Sequence, residues 1–156
     1  MEIWIKNDSD AVLEDVKLQT CLFLRPIKEF APYTSENKLV HVPGEGWAPY
    51  PQAPREKTPM GSYRLGCRGV PPIADVPVII TVSSRAERLV ASTWFTDTYS
   101  LVTNPQHPCM HADPAIDRIH VGEETSIRGE VWFFEGGIDD FTEASEAWLC
   151  QTSSNR

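Results

Sequence analysis

The eleven residues from Asn104 to Pro114 hold His107, Cys109, His111 and Asp113, four side chains able to ligate a metal or carry a proton, among three prolines. No other window of the chain brings so many such groups together. Proline fixes φ and removes a backbone donor, so a proline-stiffened loop holds its side chains in few conformations. His107, His111 and Asp113 would offer a metal two imidazoles and a carboxylate, with His120, His41 or Cys109 completing the shell. That donor set suits zinc, copper or iron, and an open position would let the ion activate water.

The spacing argues less strongly than the composition. Pro105, Pro108 and Pro114 forbid a helix, so histidines four apart need not share a face. His111-x-Asp113 matches the first half of a facial-triad motif, but the only later histidine, His120, follows Asp113 by seven residues. A cupin-type His-x-His on a strand is absent. The same residues have other uses. A buried His111 satisfied by Asp113 would pin a long crossing between sheets. Cys109 could act as a nucleophile with His107 or His111 as base, because residues two apart in an extended segment point the same way.

A second group of residues suits a saccharide, whose ring has an apolar C–H face and a polar rim. Trp47, Tyr50, Trp94 and Tyr99 would form a stacking platform, with Asp97, Glu45 or Asn37 bonding hydroxyls. Trp94 alternates with Val90 and Ser92 on a strand and reads equally as core; Trp47 and Tyr50 lie in a loop and are expected to be exposed. Asp139 and Asp140 stand at a helix start and read as caps.

These side chains must be held by short strands. Glu2–Lys6 alternates, and Asn7-Asp8-Ser9-Asp10 is a turn signal. The stretch from Val16 to Leu24 reads as one strand whose second face turns apolar at Cys21, so that half is expected to be covered on both sides. Lys38–Val42 is a short strand. Pro43 to Pro59, with five prolines, reads as a long loop. Val76–Ser83 and Arg88–Phe95 read as a hairpin, Tyr99–Thr103 as a strand entering the loaded loop, and Thr125–Phe134 as the last strand. Only the carboxyl end is helical in pattern, with Phe141, Ala144 and Trp148 on one face and Asp140 with Glu143 at capping-box spacing. The expected fold is all-β, an antiparallel β-sandwich or jelly roll with one short C-terminal helix, as a single domain over 1–150 and a polar tail over 151–156.

Composition narrows the partners. At 156 residues one core is the default, and a net charge of −8 with no basic run longer than two residues speaks against nucleic acid and anionic membranes. The longest apolar stretch, Val76–Val82, is far below the roughly 20 residues of a spanning helix. The amino terminus shows no signal peptide, which implies a cytoplasmic location by default and a secreted one if the chain is a mature product. Cys21, Cys67, Cys109 and Cys150 are irregularly spaced and read as free thiols, a preference that reverses in a secreted protein.

Several fragments carry a likeness: Asn7 to Leu13, Asn37-Lys38, Gly44-Glu45-Gly46-Trp47, Pro108 to Pro114, and Gly122-Glu123 followed by Arg128-Gly129 and Glu135-Gly136. Together they resemble a set of uncharacterised bacterial β-sandwich proteins. The resemblance implies no activity, but it includes Cys109, His111 and Asp113 and excludes His107 and His120. Three functions follow as expectations: a binding module for a glycan or small molecule through Trp47, Tyr50 and the loop around His111; a small metal-dependent enzyme using His107, His111, Asp113 and His120; and a structural or subunit-contact domain, with oligomerisation.

Overall fold

The structure is a computed structural model, and it describes residues 1–32, 36–50, 56–57, 63–67, 74–103 and 107–153, without the side chains of 56, 57, 63 and 147–153. The fold is all-β with one C-terminal helix, and every strand pair among the described residues is antiparallel. Its strands are β1 (Glu2–Lys6), β2 (Leu13–Lys17), β3 (Leu22–Phe23), β4 (Lys38–Val42), β5 (Gly46–Pro49), β6 (Glu56–Lys57), β7 (Tyr63–Gly66), β8 (Val76–Val82) and β9 (Arg88–Thr93). After a 3-10 turn at Phe95–Asp97 come β10 (Thr98–Thr103), β11 (Cys109–Ile119), β12 (Glu124–Arg128), β13 (Glu130–Glu135) and helix α1 (Ile138–Ser153).

Three sheets result. One has the order β2-β11-β10-β7-β6 with β3 also on β11, a second the order β13-β9-β8-β4-β5, and β1 with β12 forms a separate pair. The two larger sheets enclose the main core, with Leu65, Leu101, Met110 and Ala112 from the first meeting Val40, Ile79, Val90 and Trp94 from the second and its end. The second sheet is apolar on its other face too, where Val78, Ile80, Leu89 and Ala91 pack against Phe141 of α1. That double cover explains the unbroken apolar run of β8, which alternation alone would not produce.

The structure departs from the sequence expectations in ways that matter for the site. The segment from Cys109 to Pro114 is not a loop but the first half of β11, the longest strand of its sheet. Pro114 is tolerated because the pairing of β10 with β11 shifts register between Thr98 and Ser100, and a bulge is where a strand can lose a donor. The expected strand from Val16 to Leu24 is two strands with a break at residues 18–21, the break that carries Thr20 and Cys21. The loop from Pro43 to Pro59 contains β5 and β6, and its residues 51–55 and 58–59 lie outside the described set. The expected strand from Thr125 to Phe134 is cut at Gly129, where a Cβ would lie 2.5 Å from the Thr93 carbonyl oxygen and 2.7 Å from the Trp94 ring. Only glycine fits there, and the chain turns from one sheet into another.

Helix α1 starts one residue before the acidic pair. Gly137 stands at the cap, and Asp140, three residues on, accepts its backbone N–H at 2.8 Å. The reciprocal half of a capping box is therefore present, shifted three residues from the Asp140 and Glu143 spacing. The helix runs on through residues 151–153 of the expected 151–156 tail; residues 154–156 lie outside the described residues, and the Trp148 side chain of the expected apolar face outside the described side chains. No helix of the described residues is long and apolar enough to cross a membrane.

Candidate metal centre

On β11 successive side chains alternate between faces, so Met110 and Ala112 enter the core while Cys109, His111 and Asp113 share the opposite face. That second face is buried as well, with Cys109, His111 and Asp113 retaining only 4%, 7% and 9% exposure. β3 pairs with the start of this strand through Cys109 opposite Phe23 and Met110 opposite Leu22. The residue just before β3 is Cys21, and the register brings it beside His111. Sγ of Cys21, Sγ of Cys109 and a ring nitrogen of His111 all lie within 4.8 Å of one another. Among the described residues this is the one group of three or more such ligand atoms so close together. It is a potential transition-metal site.

Thr20 fixes the break that carries Cys21. Its hydroxyl donates to the Ala112 carbonyl at 2.5 Å and accepts the Trp94 indole N–H at 3.1 Å, while its backbone N–H donates to Asp113 Oδ1 at 2.9 Å. Three bonds from one residue thus tie the Cys21 segment to β11 and to the core. Cys21 keeps an exposed position, whereas the other two ligands are enclosed. The cluster therefore has a wet side and a dry side.

Electrostatics favour the ligating forms. Burial holds the His111 imidazole below its ordinary pKa, opposed by a backbone interaction at Thr20, so the ring is neutral, as a metal ligand must be. Burial raises Asp113 to about 6, against the Thr20 N–H and the charge of Arg64. His111 Nδ1 lies 4.0 Å from Asp113 Oδ1, too far for a hydrogen bond, and burial pushes both groups toward neutrality; the contact is not an ion pair. Among the described residues His111 Nδ1 is consequently a buried polar atom with no hydrogen-bond partner. Such an atom costs about 1–3 kcal/mol and calls for an explanation.

On the core side stands Lys38, fully buried on the face of β4 that also carries Val40 and Val42. Its ammonium donates to Thr81 Oγ1 at 2.8 Å, and that hydroxyl donates to Met110 Sδ at 3.1 Å, a chain that crosses from one sheet to the other. Burial lowers Lys38 to about 8, and the charge of Cys109 pulls it back up.

The structure brings together some of the expected site residues and scatters others. Cys109, His111 and Asp113 share one face, as the strand geometry requires. His107 and His120 are exposed and belong to no such cluster among the described residues; His120 follows the far end of β11, nine residues and roughly 30 Å of strand from His111. His41 instead pairs with Asp75 at 2.5 Å and stands edge-on to Trp47. Of the four platform aromatics, Tyr50 and Trp94 are core residues at 1% and 2% exposure, and the Tyr50 hydroxyl donates to the Leu101 carbonyl inside the molecule. The expected exposure of Tyr50 fails because β5 carries the chain back over the core before the proline-rich stretch begins. Trp47 is half-buried against Phe141 of the helix, with ring centroids 6.2 Å apart. Tyr99 is half-buried beneath Lys17 and near Arg64, and Asp97 lies in the 3-10 turn. These four rings do not form one stacking face.

Sequence inspection misses Thr20, Cys21 and Lys38, each distant in the chain from the loaded segment. The one signal is the apolar turn of the strand face at Cys21, but the double cover expected of that half fails, because Cys21 and Phe23 are exposed. Cys21, Cys67 and Cys109 carry thiols rather than disulfides, as expected, and the Cys150 side chain lies outside the described set. Comparison with known proteins finds no matching family model, no matching curated protein and no matching solved structure.

Proposed function

We propose that this chain is a β-sandwich or jelly-roll protein that binds a transition metal through Cys21, Cys109 and His111. The observation that carries this reading is the Nδ1 of a buried, neutral His111, without a hydrogen-bond partner among the described residues and beside two thiols. A metal bound through Nδ1 satisfies that atom directly, whereas Asp113 Oδ1, 4.0 Å away, is too distant to accept a proton left there. Donors in a tetrahedral or trigonal site lie roughly 3.5–4 Å apart, so closure from 4.8 Å asks only a small inward shift of the exposed Cys21.

A catalytic role for the metal is the second reading, favoured by Asp113. Three protein ligands leave a coordination position, and a carboxyl group with a pKa of about 6 can take or give a proton near neutral pH. Elemental analysis of untagged protein purified under reducing conditions tests the metal. Stoichiometric zinc or copper is expected, lost in Cys109→Ser and His111→Ala and retained in His107→Ala and His120→Ala. Metal retained by His111→Ala, or absent from the wild-type protein and not taken up on addition, overturns the reading.

A further inference from the structure

We infer that the site is built for a soft monovalent cation, copper(I), and that Lys38 is the buried counter-charge that sets this choice. The inference rests on the metal reading above and goes beyond it by naming the ion and a residue outside the ligand set.

The donor set comes first. Two thiolates and an imidazole are soft donors, and the described residues supply three of them and no fourth. Copper(I) is satisfied by a three-coordinate sulfur and nitrogen shell, whereas zinc on the same three residues needs a fourth donor, a protein group in a structural site or a water in a catalytic one.

Charge comes second. When Cys21 and Cys109 ligate, each carries one negative charge, and neutral His111 carries none. Asp113 is offset by Arg64, the cation acting on it. The remaining charge is Lys38, wholly enclosed between the sheets, with Thr81 its hydrogen-bond partner and, among the described residues, no carboxylate in ion-pair contact. Its hydrogen-bond chain through Thr81 ends on Met110, the neighbour of Cys109 in β11, and negative charge on Cys109 favours the ammonium. An isolated buried ammonium is costly, and nothing in the apolar core around Val40 and Met110 calls for one. Two thiolates and one ammonium leave a single negative charge, which a monovalent ion neutralises. A divalent ion would leave a net positive charge against the core. Lys38 does not touch the ion and is a positioning residue, acting through the field at Cys109.

The test is a pair of competition titrations on the anaerobic, reduced apoprotein: copper(I) against a chromophoric copper(I) chelator, and zinc(II) against a zinc chelator. Lys38→Met is expected to weaken copper(I) at least tenfold while leaving zinc(II) affinity unchanged or higher. Lys38→Gln, which keeps a donor for Thr81 without the charge, is expected to do the same and guards against a folding failure of the first variant. X-ray absorption on wild-type protein needs no variant: a three-coordinate copper with two sulfurs and one nitrogen is expected, and a four-coordinate site overturns the inference. Equal weakening of both metals in both variants also overturns it, as does wild-type protein that takes a full equivalent of zinc but less than one of copper(I). These results would leave the metal reading standing. Binding of neither ion removes the metal reading and this inference together.

Discussion

At the scale of single residues, Asp113 shows how burial turns a side chain into a pH-sensitive element. Its carboxyl is raised from 3.8 to about 6 because the strand face encloses it, and the Thr20 N–H and Arg64 only partly offset that cost. Between those two values the folded metal-free protein holds a proton that the unfolded chain has released. The resulting stabilisation is fully present below about pH 4 and lost as pH rises through 6. A shift of roughly two units corresponds to about 3 kcal/mol, an upper figure. Asp113→Asn is a permanently neutral isostere that can still accept the Thr20 N–H. Urea denaturation with chelator present is expected to find the two proteins equally stable near pH 4, with the Asp113→Asn variant becoming the more stable by about 2–3 kcal/mol at pH 7. A constant difference across that range would show that Asp113 is not desolvated as the fold places it. Thr20 belongs beside it, since the same residue that binds Asp113 also sets the segment bearing Cys21. None of this was visible from the residue types, because a threonine ninety-three positions away in sequence announces no partner.

At the scale of elements, the decisive features are the places where strands break. Gly129 separates β12 from β13 because the Thr93 carbonyl and the Trp94 ring occupy the space a side chain would need. Gly129→Ala forces that contact open and is expected to cost about 2–3 kcal/mol, read as a lowered urea midpoint with an unchanged slope. A change below about 0.5 kcal/mol would mean that the corner relaxes freely and that Trp94 is not held against it. Much of the element structure was legible: β1, β4, the hairpin of β8 and β9, β10 and helix α1 follow from alternation and turn residues. What failed was the reading of proline. Three prolines around His107 and Asp113 suggested a loop, yet β11 runs through the second half because Pro114 coincides with a register shift. The alternation of Cys109, His111 and Asp113 onto one face was correctly legible for an extended chain. The partner that completes the cluster came from the break before β3, and a break inside an apolar run has no local signature. Glycine at 129 was equally silent, since its reason lies in an indole thirty-five residues earlier.

At the scale of the whole molecule, the two large sheets are joined not only by apolar contact but by the chain from Lys38 through Thr81 to Met110. An ammonium in that position is a liability in the metal-free protein. Its pKa falls from 10.5 to about 8 because burial disfavours the charged form, so between those values the unfolded chain binds the proton that the folded one has lost. Stability from this group therefore rises with pH across that window, by up to about 3 kcal/mol for a shift of roughly 2.5 units. Lys38→Met fills the same space without the charge and gives up one hydrogen bond worth about 1 kcal/mol. At pH 7 the metal-free variant is expected to be about 2 kcal/mol more stable than wild type, because it escapes the desolvation cost and loses only that bond. Above pH 10.5 the wild-type amine is neutral whether folded or not, and the hydrogen bond alone remains, so the order reverses. Paired urea titrations of the two proteins at about pH 7, 8.5 and 10.5 measure the crossing. A variant less stable at every pH would show that the ammonium is already neutralised in the metal-free fold, and would remove the physical reason for assigning Lys38 to the charge of an incoming ion. The crossing, by contrast, would establish that this fold carries a destabilising buried cation, the liability that negative charge at Cys109 offsets.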